Sequence, residues 1–483
     1  MEGLDCPGTA ICRQYCEALR AQGVAVERNE NGCNVPAMFA ITKSGVRFKP
    51  EFATKDGNPK LVKNIGVALR VVLNEHAETD PEAEAQVAEL VSAHGQAFEA
   101  RLSLWGAMLD SARQRRSFTD AELRYYEQQI DEAENVRASL LDNTEVDAAI
   151  RAQAISDRKT LDTYGLLFDD QITQTVDRMV ANVMEGKPTL PVGDKGIAKT
   201  QAAYFTARLW EPEAEPVIIS GHGDMMSNEL IGQLEQDEVT KVFTFKPGKL
   251  IQAMRDGRPA ILDEVNIGDQ QIIMRLQHIL LLRPGDKVVL QENGGEEIEV
   301  QPGFAILATA NEASARYVQR NVLDPAFRDR FDVLQQTYPD MDSENPVKQV
   351  PSSLMRLAFA LGTDESGRLS RHLDAAELEK MVRLAHVTQH LYSVPARDAR
   401  VNLGDLGDGT ATNRFIDDEE PVMTDCITPR ALADIVKRCA AGNKPNITLE
   451  HELQRVVRGL DQSGSTRNQD YANEILKLLK RRR

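Results

Sequence analysis

The stretch Leu190–Phe205, "LPVGDKGIAKTQAAYF", is the one whose reading decides the fold. An apolar strand-like run, "TLPV" (189–192), leads into the turn "GDKGIAKT" (193–200), and a helix-like run, "TQAAYFTARLW" (200–210), follows. Strand, Gly-containing turn and helix in that order are the setting in which backbone N–H groups gather around phosphate oxygens. Gly193 and Gly196 let the chain curl, and Lys199 is placed to reach terminal phosphates. Thr200 brings a hydroxyl suited to a magnesium ion. Asp194, Lys195, Ile197 and Ala198 complete the candidate phosphate loop. Glycine usually precedes the lysine of such a loop. Ala198 suits that position if its backbone has negative φ, where alanine carries no penalty. Taken alone, the string also fits a chance Gly-rich turn, so a working site must show further parts downstream.

Those parts follow in order. In "PAILDEVNIG" (259–268) a buried strand ends in Asp263 and Glu264, at the carboxyl edge where doubly wound sheets bind ligands. Asp263 is a candidate for the magnesium shell and Glu264 for the general base that polarises water. Without the upstream loop, the pair would read as a solvated strand end. "FAILATANEA" ends another buried strand in Asn311, an uncharged group suited to orienting water. "VLDPAFRDRF" places Arg328 and Arg330 at the end of a short helix, where arginine suits developing phosphoryl charge. Their plainer alternative is a surface ion pair with Asp329 or Asp332. In "ITPRALADIV", Thr428 caps a helix with Pro429 at its first position and Arg430 in its first turn.

The chain divides into three regions. Residues 1–160 carry no chemical motif. They contain a helix-like piece, "ICRQYCEALRAQG", strand-like runs "NVPAMFAI" and "GVRFKPEF", and two long amphipathic helices. Val87, Leu90, Val91, Phe98, Leu102, Trp105 and Leu109 stripe the first helix. The second opens on a capping box, Thr119 with Glu122, and carries Leu123, Tyr126, Ile130, Ala133 and Leu140 on one face. An intramolecular helical hairpin is preferred to a partner-binding seam. Residues 161–335 alternate buried strands, including "PVIIS" (216–220), with helices, the pattern of a parallel sheet covered on both faces. Residues 336–483 are mostly helical, with a polar loop from about Pro395 to Asp425 that is either functional or disordered.

Composition narrows the function classes. The 483 residues are 42% hydrophobic and 27% charged, with a net charge of −17, which argues against bulk coating of nucleic acid or anionic membrane. No apolar run approaches the length of a membrane span, and the N-terminus lacks a signal-peptide pattern. The expectation is a cytoplasmic protein. Cys6, Cys12, Cys16 and Cys33 crowd the first segment, but their spacing departs from paired zinc ligands, and reduced thiols are expected.

Together the lysine loop, "LDE", "ATANE", "DPAFRDRF" and "TPRAL" resemble an AAA+ ATPase. Within that superfamily the chain is similar to the MoxR-like, dynein- and midasin-related branch. The segment "ELIGQLEQDEVTKVFTFKPGKLIQAMRDGRPAILDEVN" carries the likeness most specifically, with a β-hairpin before the acidic strand. The resemblance covers about residues 165–445. It departs from the family at Asp194 and Lys195, where two prolines are commoner, whereas alanine before the lysine is a family variant. It implies a three-layer α/β P-loop core, an all-α lid and a hairpin "KVVLQENGGEEIEVQPG" turning at "ENGG". It also implies ATP and Mg2+ at the interfaces of a homo-oligomeric ring, most often a hexamer. Arg330 or Arg328 would act on the neighbour's nucleotide, and Arg430 would read the γ-phosphate. The implied activity is remodelling or assembly of a protein client, beside a separate partner with a von Willebrand factor A domain. Two alternatives are a nucleic-acid motor, kept open by Lys241 and Lys246, and a nucleotide-gated scaffold with little turnover.

Overall fold

The computed structural model describes the backbone of residues 27–29, 32–34, 39–42 and 45–48, and then residues 81–339, 351–393 and 425–456. Short breaks within these spans fall at 145, 223–224, 226, 237–240, 268–275, 277, 312–322, 324, 446–447, 450 and 453–455. The helix expected near residue 11, Cys6, Cys12, Cys16, the side chain of Cys33 and nearly all of the 395–425 loop lie outside the described residues. The chain forms two compact units. Unit 1 gathers Met1–Glu99, Gln129–Asp162 and Tyr338–Arg483, and unit 2 gathers Ala100–Gln128 and Thr163–Thr337.

The N-terminal segment holds two antiparallel strand pairs, β1 (Glu27–Asn29) with β2 (Gly32–Asn34) and β3 (Phe39–Thr42) with β4 (Gly45–Phe48). Three helices follow: α1 (Pro81–Arg113), α2 (Asp120–Asn143) and α3 (Val146–Tyr164). Val87, Leu90, Trp105 and Leu109 of the α1 stripe are buried. The capping box of α2 forms as expected. The Thr119 N–H donates to Glu122 at 2.9 Å, and the Glu122 N–H returns to the Thr119 hydroxyl at 3.3 Å.

Unit 2 is built on α4 (Asp170–Glu185), β5 (Thr189–Gly193), α5 (Lys199–Trp210), β6 (Val217–Ser220), α6 (Ser227–Leu230), β7 (Gly232–Gln236), β8 (Phe243–Pro247), α7 (Lys249–Asp256) and β9 (Ala260–Asp263). These continue through β10 (Lys287–Leu290), β11 (Glu296–Glu299), β12 (Ile306–Ala308), β13 (Ala310–Asn311), α8 (Pro325–Arg328) and β14 (Asp332–Gln336). Helix α4 is fixed at both ends by local chemistry. Asp169 accepts from the Ile172 N–H at 2.8 Å, and Gly186 closes the helix at φ 65°. Its buried face, Ile172, Val176, Met179, Val180 and Val183, recurs at helical spacing.

The central sheet is wholly parallel and runs β14, β5, β12 with β13, β9, β6. Its strands are apolar along their length because helices cover them: Leu190, Ile261, Leu262 and Leu307 are buried. Leu307 pairs with Thr189 and Ala310 with Val192, so β12 and β13 keep one register on β5 and are a single strand interrupted at Thr309. Two antiparallel hairpins, β7–β8 and β10–β11, stand outside this sheet, and the second turns through Gly294 and Gly295 at positive φ. The family resemblance implied both.

In unit 1, α9 (Ser352–Gly362), α10 (Ala375–Ser393) and α11 (Pro429–Ala440) share an apolar core that includes Met355, Phe359, Val382 and Ile435. Thr428 caps α11 by accepting from the Ala431 N–H at 3.1 Å. Ion pairs tie α3 into this unit. Arg356 grips Asp157 with two bonds of 2.9 and 2.6 Å, and Arg151 grips Glu84 at 3.0 and 2.9 Å. Among the described residues no helix is long and apolar enough to cross a membrane.

Candidate active site

Every strand that carries a candidate group ends at the same edge of the sheet, because the strands are parallel and in register. Ala310 and Asn311 lie beside Val192 and Gly193, and Ser220 lies beside Asp263. On the other flank Gln336 lies beside Gly193. That approach demands glycine: a Cβ at Gly193 would meet the Gln336 carbonyl oxygen at 2.0 Å.

The turn after β5 delivers Lys199 as the first residue of α5, and its side chain is buried. Its ammonium donates to the Gly193 carbonyl at 2.9 Å, the Asp194 carbonyl at 2.5 Å and Asn311 Oδ1 at 2.9 Å. Asn311 then donates through Nδ2 to Glu264 Oε1 at 2.6 Å, so one amide joins the lysine to the glutamate. Thr200 donates to Asp263 Oδ1 at 2.7 Å. Two residues absent from the sequence reading complete the cluster. The Thr309 hydroxyl donates to the same Asp263 oxygen at 2.5 Å and accepts the Glu264 N–H at 3.1 Å. Asn266, also buried, donates to the Asn311 carbonyl at 2.8 Å. Lys199, Asn311, Glu264, Thr309, Asp263 and Thr200 therefore form one continuous hydrogen-bonded network.

The backbone of Ala198 corrects an expectation. It sits at φ 63° and ψ 20°, in the left-handed region, where alanine costs about 1 kcal/mol, and it gives α5 no side-chain cap. Gly196 shares this region at φ 79°, and so does Glu264 at φ 55°. Left-handed residues in a turn rotate successive N–H groups toward one side, which makes an anion-binding concavity. The helix N-terminus behind it adds partial positive charge.

The arginines are placed unequally. Arg328 ends α8 and is exposed, and Arg330 follows it half-buried. The expected alternative partner Asp332 is engaged elsewhere, by Arg178 and by Asn182 Nδ2 at 2.7 Å. Arg178 therefore holds the Asp332 carboxyl below the usual carboxylate range. Among the described residues neither Arg328 nor Arg330 has an ion pair, and the buried Arg330 Nε has no hydrogen-bond partner. Arg430 belongs to unit 1, as the second residue of α11, and is exposed. No group of three or more metal-ligating side chains occurs among the described residues.

The family model for the AAA domain (dynein-related subfamily) matches residues 188–331, the span that holds this network. That segment is an AAA+ ATPase domain of the MoxR-like, dynein-related branch. The strand order and the covered parallel sheet agree with the expected α/β class. Midasin from Giardia intestinalis is 28% identical over 170 residues, 35% of this chain and 3% of that protein. Protein NorQ from Paracoccus denitrificans is 29% identical over 170 residues, 35% of this chain and 59% of NorQ. Midasin from Dictyostelium discoideum is 36% identical over 93 residues, 19% of this chain and 2% of that protein. The matches thus span less than two thirds of each relative.

Proposed function

We propose that the chain is a magnesium-dependent ATPase that assembles into a ring and uses hydrolysis to remodel or assemble a protein client. The continuous hydrogen-bonded network from Lys199 to Thr200 is the observation that supports this reading. It puts a cation, a carboxylate pair, a hydroxyl and an amide within hydrogen-bond distance at one sheet edge. The residues fit the groups they would hold. The left-handed turn at Gly196 and Ala198 and the start of α5 suit phosphates, and Thr200 with Asp263 offers the hard oxygen donors that magnesium takes. When bound, ATP with magnesium supplies the phosphoryl group that transfers to water.

Each protein group then has one task. Lys199 neutralises phosphate charge, Thr200 and Asp263 hold the metal shell, and Glu264 takes a proton from water. Asn311 orients Glu264 through the bond already described. The three-domain division at 160 and 335 belongs to the same proposal, as do a homo-hexamer, a cytoplasmic setting and a separate partner with a von Willebrand factor A domain. Arg330 or Arg328 acting on a neighbouring subunit, and Arg430 reading the γ-phosphate, complete it.

A protein client is favoured over nucleic acid by the β7–β8 hairpin. Lys246, one of its two candidate phosphate contacts, is paired with Glu235 at 3.3 Å. Leu234, Val242 and Phe243 are instead exposed, Phe243 at 63%. Apolar groups held in solvent on a hairpin suit polypeptide contact better than a polyanion. The deciding experiment measures ATP turnover and fluorescent-ATP binding for wild type, Lys199→Ala and Glu264→Gln, with and without DNA or RNA. Loss of binding in the first variant and loss of turnover alone in the second are expected. A Glu264→Gln protein that hydrolyses ATP at the wild-type rate refutes the base assignment, and stimulation by nucleic acid refutes the client class.

A further inference from the structure

We propose that Thr309 is a positioning residue for ATP hydrolysis, holding both the metal-shell carboxylate and the backbone of the general base through one hydroxyl. This rests on the reading of Asp263 and Glu264 given above. The proton inventory is restrictive. A threonine hydroxyl has one proton, and an ionised carboxylate only accepts. With the Thr309 proton on Asp263 Oδ1 at 2.5 Å, a lone pair receives the Glu264 N–H at 3.1 Å. Both functions of the hydroxyl are used, and Thr309 is 1% exposed, so water does not substitute for either.

Glu264 needs such a hold. A non-glycine residue at φ 55° costs on the order of 1 kcal/mol and persists only where its surroundings fix it. Thr309 supplies two of the bonds around it. Its hydroxyl takes the Glu264 N–H, and its carbonyl takes the Val265 N–H at 3.0 Å. Gly221 closes the opposite side by donating to the Asp263 carbonyl at 2.7 Å, and a Cβ there would lie 2.4 Å from the Glu264 carbonyl oxygen. Position 309 is also where β12 breaks from β13. Ala308 still pairs with Leu262, whereas Ala310 and Asn311 pair only with β5. Thr309 thus stands where the chain leaves β9, which ends just before Glu264, and continues as β13, which carries Asn311. Thr200 donates to the same Asp263 oxygen at 2.7 Å, so Thr309 also sets the direction of the carboxylate that faces the metal site.

The test uses the full chain and compares Thr309→Val, which keeps the shape, with Thr309→Ala and Thr309→Ser. Steady-state ATP turnover is measured across a magnesium titration, and binding of a fluorescent ATP analogue is measured separately. Thr309→Val and Thr309→Ala should bind the analogue within about 2-fold of wild type, because Lys199 reaches its acceptors independently. Their kcat should fall roughly 10- to 100-fold, the range found when a partner that orients a metal-site ligand is removed. The magnesium concentration for half-maximal rate should rise, and Thr309→Ser should restore both readouts. Wild-type kcat in Thr309→Val overturns the inference. So does a serine variant as impaired as valine, since the methyl and not the hydroxyl would then matter. Equal loss of binding and turnover in valine and alanine overturns it as well, by showing a general lesion. Failure of the wild-type protein to hydrolyse ATP overturns the parent reading first, and this one with it.

Discussion

Acidification from pH 7 to 5.5 should destabilise unit 1 by about 4 kcal/mol, through three histidines that the fold keeps neutral. His94, His386 and His390 are all buried in that unit. Burial, with Arg137 and Arg356 nearby, lowers His94 to about 3. Burial and the neighbouring His390 lower His386 to about 3, and burial lowers His390 to about 4. An unfolded histidine titrates near 6.5, so in this window the unfolded chain takes up protons that the folded chain refuses. Stability is therefore full above about pH 6.5 and is lost as pH falls toward the folded values. Each group contributes up to about 1.4 kcal/mol per pH unit, and three acting together between pH 7 and 5.5 give the stated figure. For a unit of this size the midpoint of thermal unfolding should drop by about 10 °C. Differential scanning calorimetry at both pH values measures it. No described residue accepts or donates a hydrogen bond at either ring nitrogen of His386 or His390, so leucine there should be neutral or stabilising at pH 7. The His386→Leu, His390→Leu double variant should lose about two thirds of the pH dependence. A flat wild-type profile between pH 7 and 5.5, or an unchanged slope in the double variant, refutes the reasoning.

Ala198→Gly should raise the melting temperature of unit 2 by about 1–3 °C. Relief of the left-handed alanine outweighs the extra freedom of glycine in the unfolded chain, and a lower melting point would refute the strain. Asp332→Asn should cost about 1 kcal/mol, since Arg178 is half exposed and water screens part of the pair. That loss should shrink in acid, because the contribution of a carboxylate held low is complete above its unfolded titration near 4 and falls away as pH drops through its lower folded one, and urea denaturation at pH 7 and 3 tests it. Arg330→Ala should bind ATP normally yet hydrolyse it poorly, by on the order of 10³-fold if the guanidinium serves a neighbouring site. Mixing it with Lys199→Ala subunits should then restore partial turnover, and two dead proteins that stay dead after verified co-assembly would refute a shared site.

The sheet was legible because its strands are short apolar runs bounded by turns, and the groups at their ends are contiguous with those runs. Lys199, Thr200, Asp263, Glu264 and Asn311 could be named from linear motifs, and parallel pairing brings them to one edge. The Thr119 and Thr428 caps were legible for the same reason, since their signals span only a few residues, whereas the two hairpins were expected from the family resemblance. Backbone sign was not legible: nothing in "GIAKT" distinguishes negative from positive φ at position 198. Thr309 left a faint trace, lying two residues before Asn311 on the same strand face, but "TANE" drew attention to its asparagine. The ties that hold α3 in unit 1 left none. Asp157 and Arg356 meet across 199 residues of chain, and an ion pair between distant helices has no local pattern to announce it.

The chain has two tryptophans, and their placement gives unit 2 an optical signature of its own. Trp105 and Trp210 both belong to that unit, buried, with their indole N–H groups bonded to Asp177 at 2.6 Å and to the Gly303 carbonyl at 2.7 Å. Trp210 is the last residue of the helix that Lys199 begins, and Trp105 packs edge-on against Phe205 of that same helix. Tryptophan emission thus follows the environment of α5 and is silent about unit 1, which absorbs in the near ultraviolet through its tyrosines. Emission and far-ultraviolet dichroism recorded on one sample will separate the loosening of the helical unit in acid from any change at the phosphate loop, without a label attached to either.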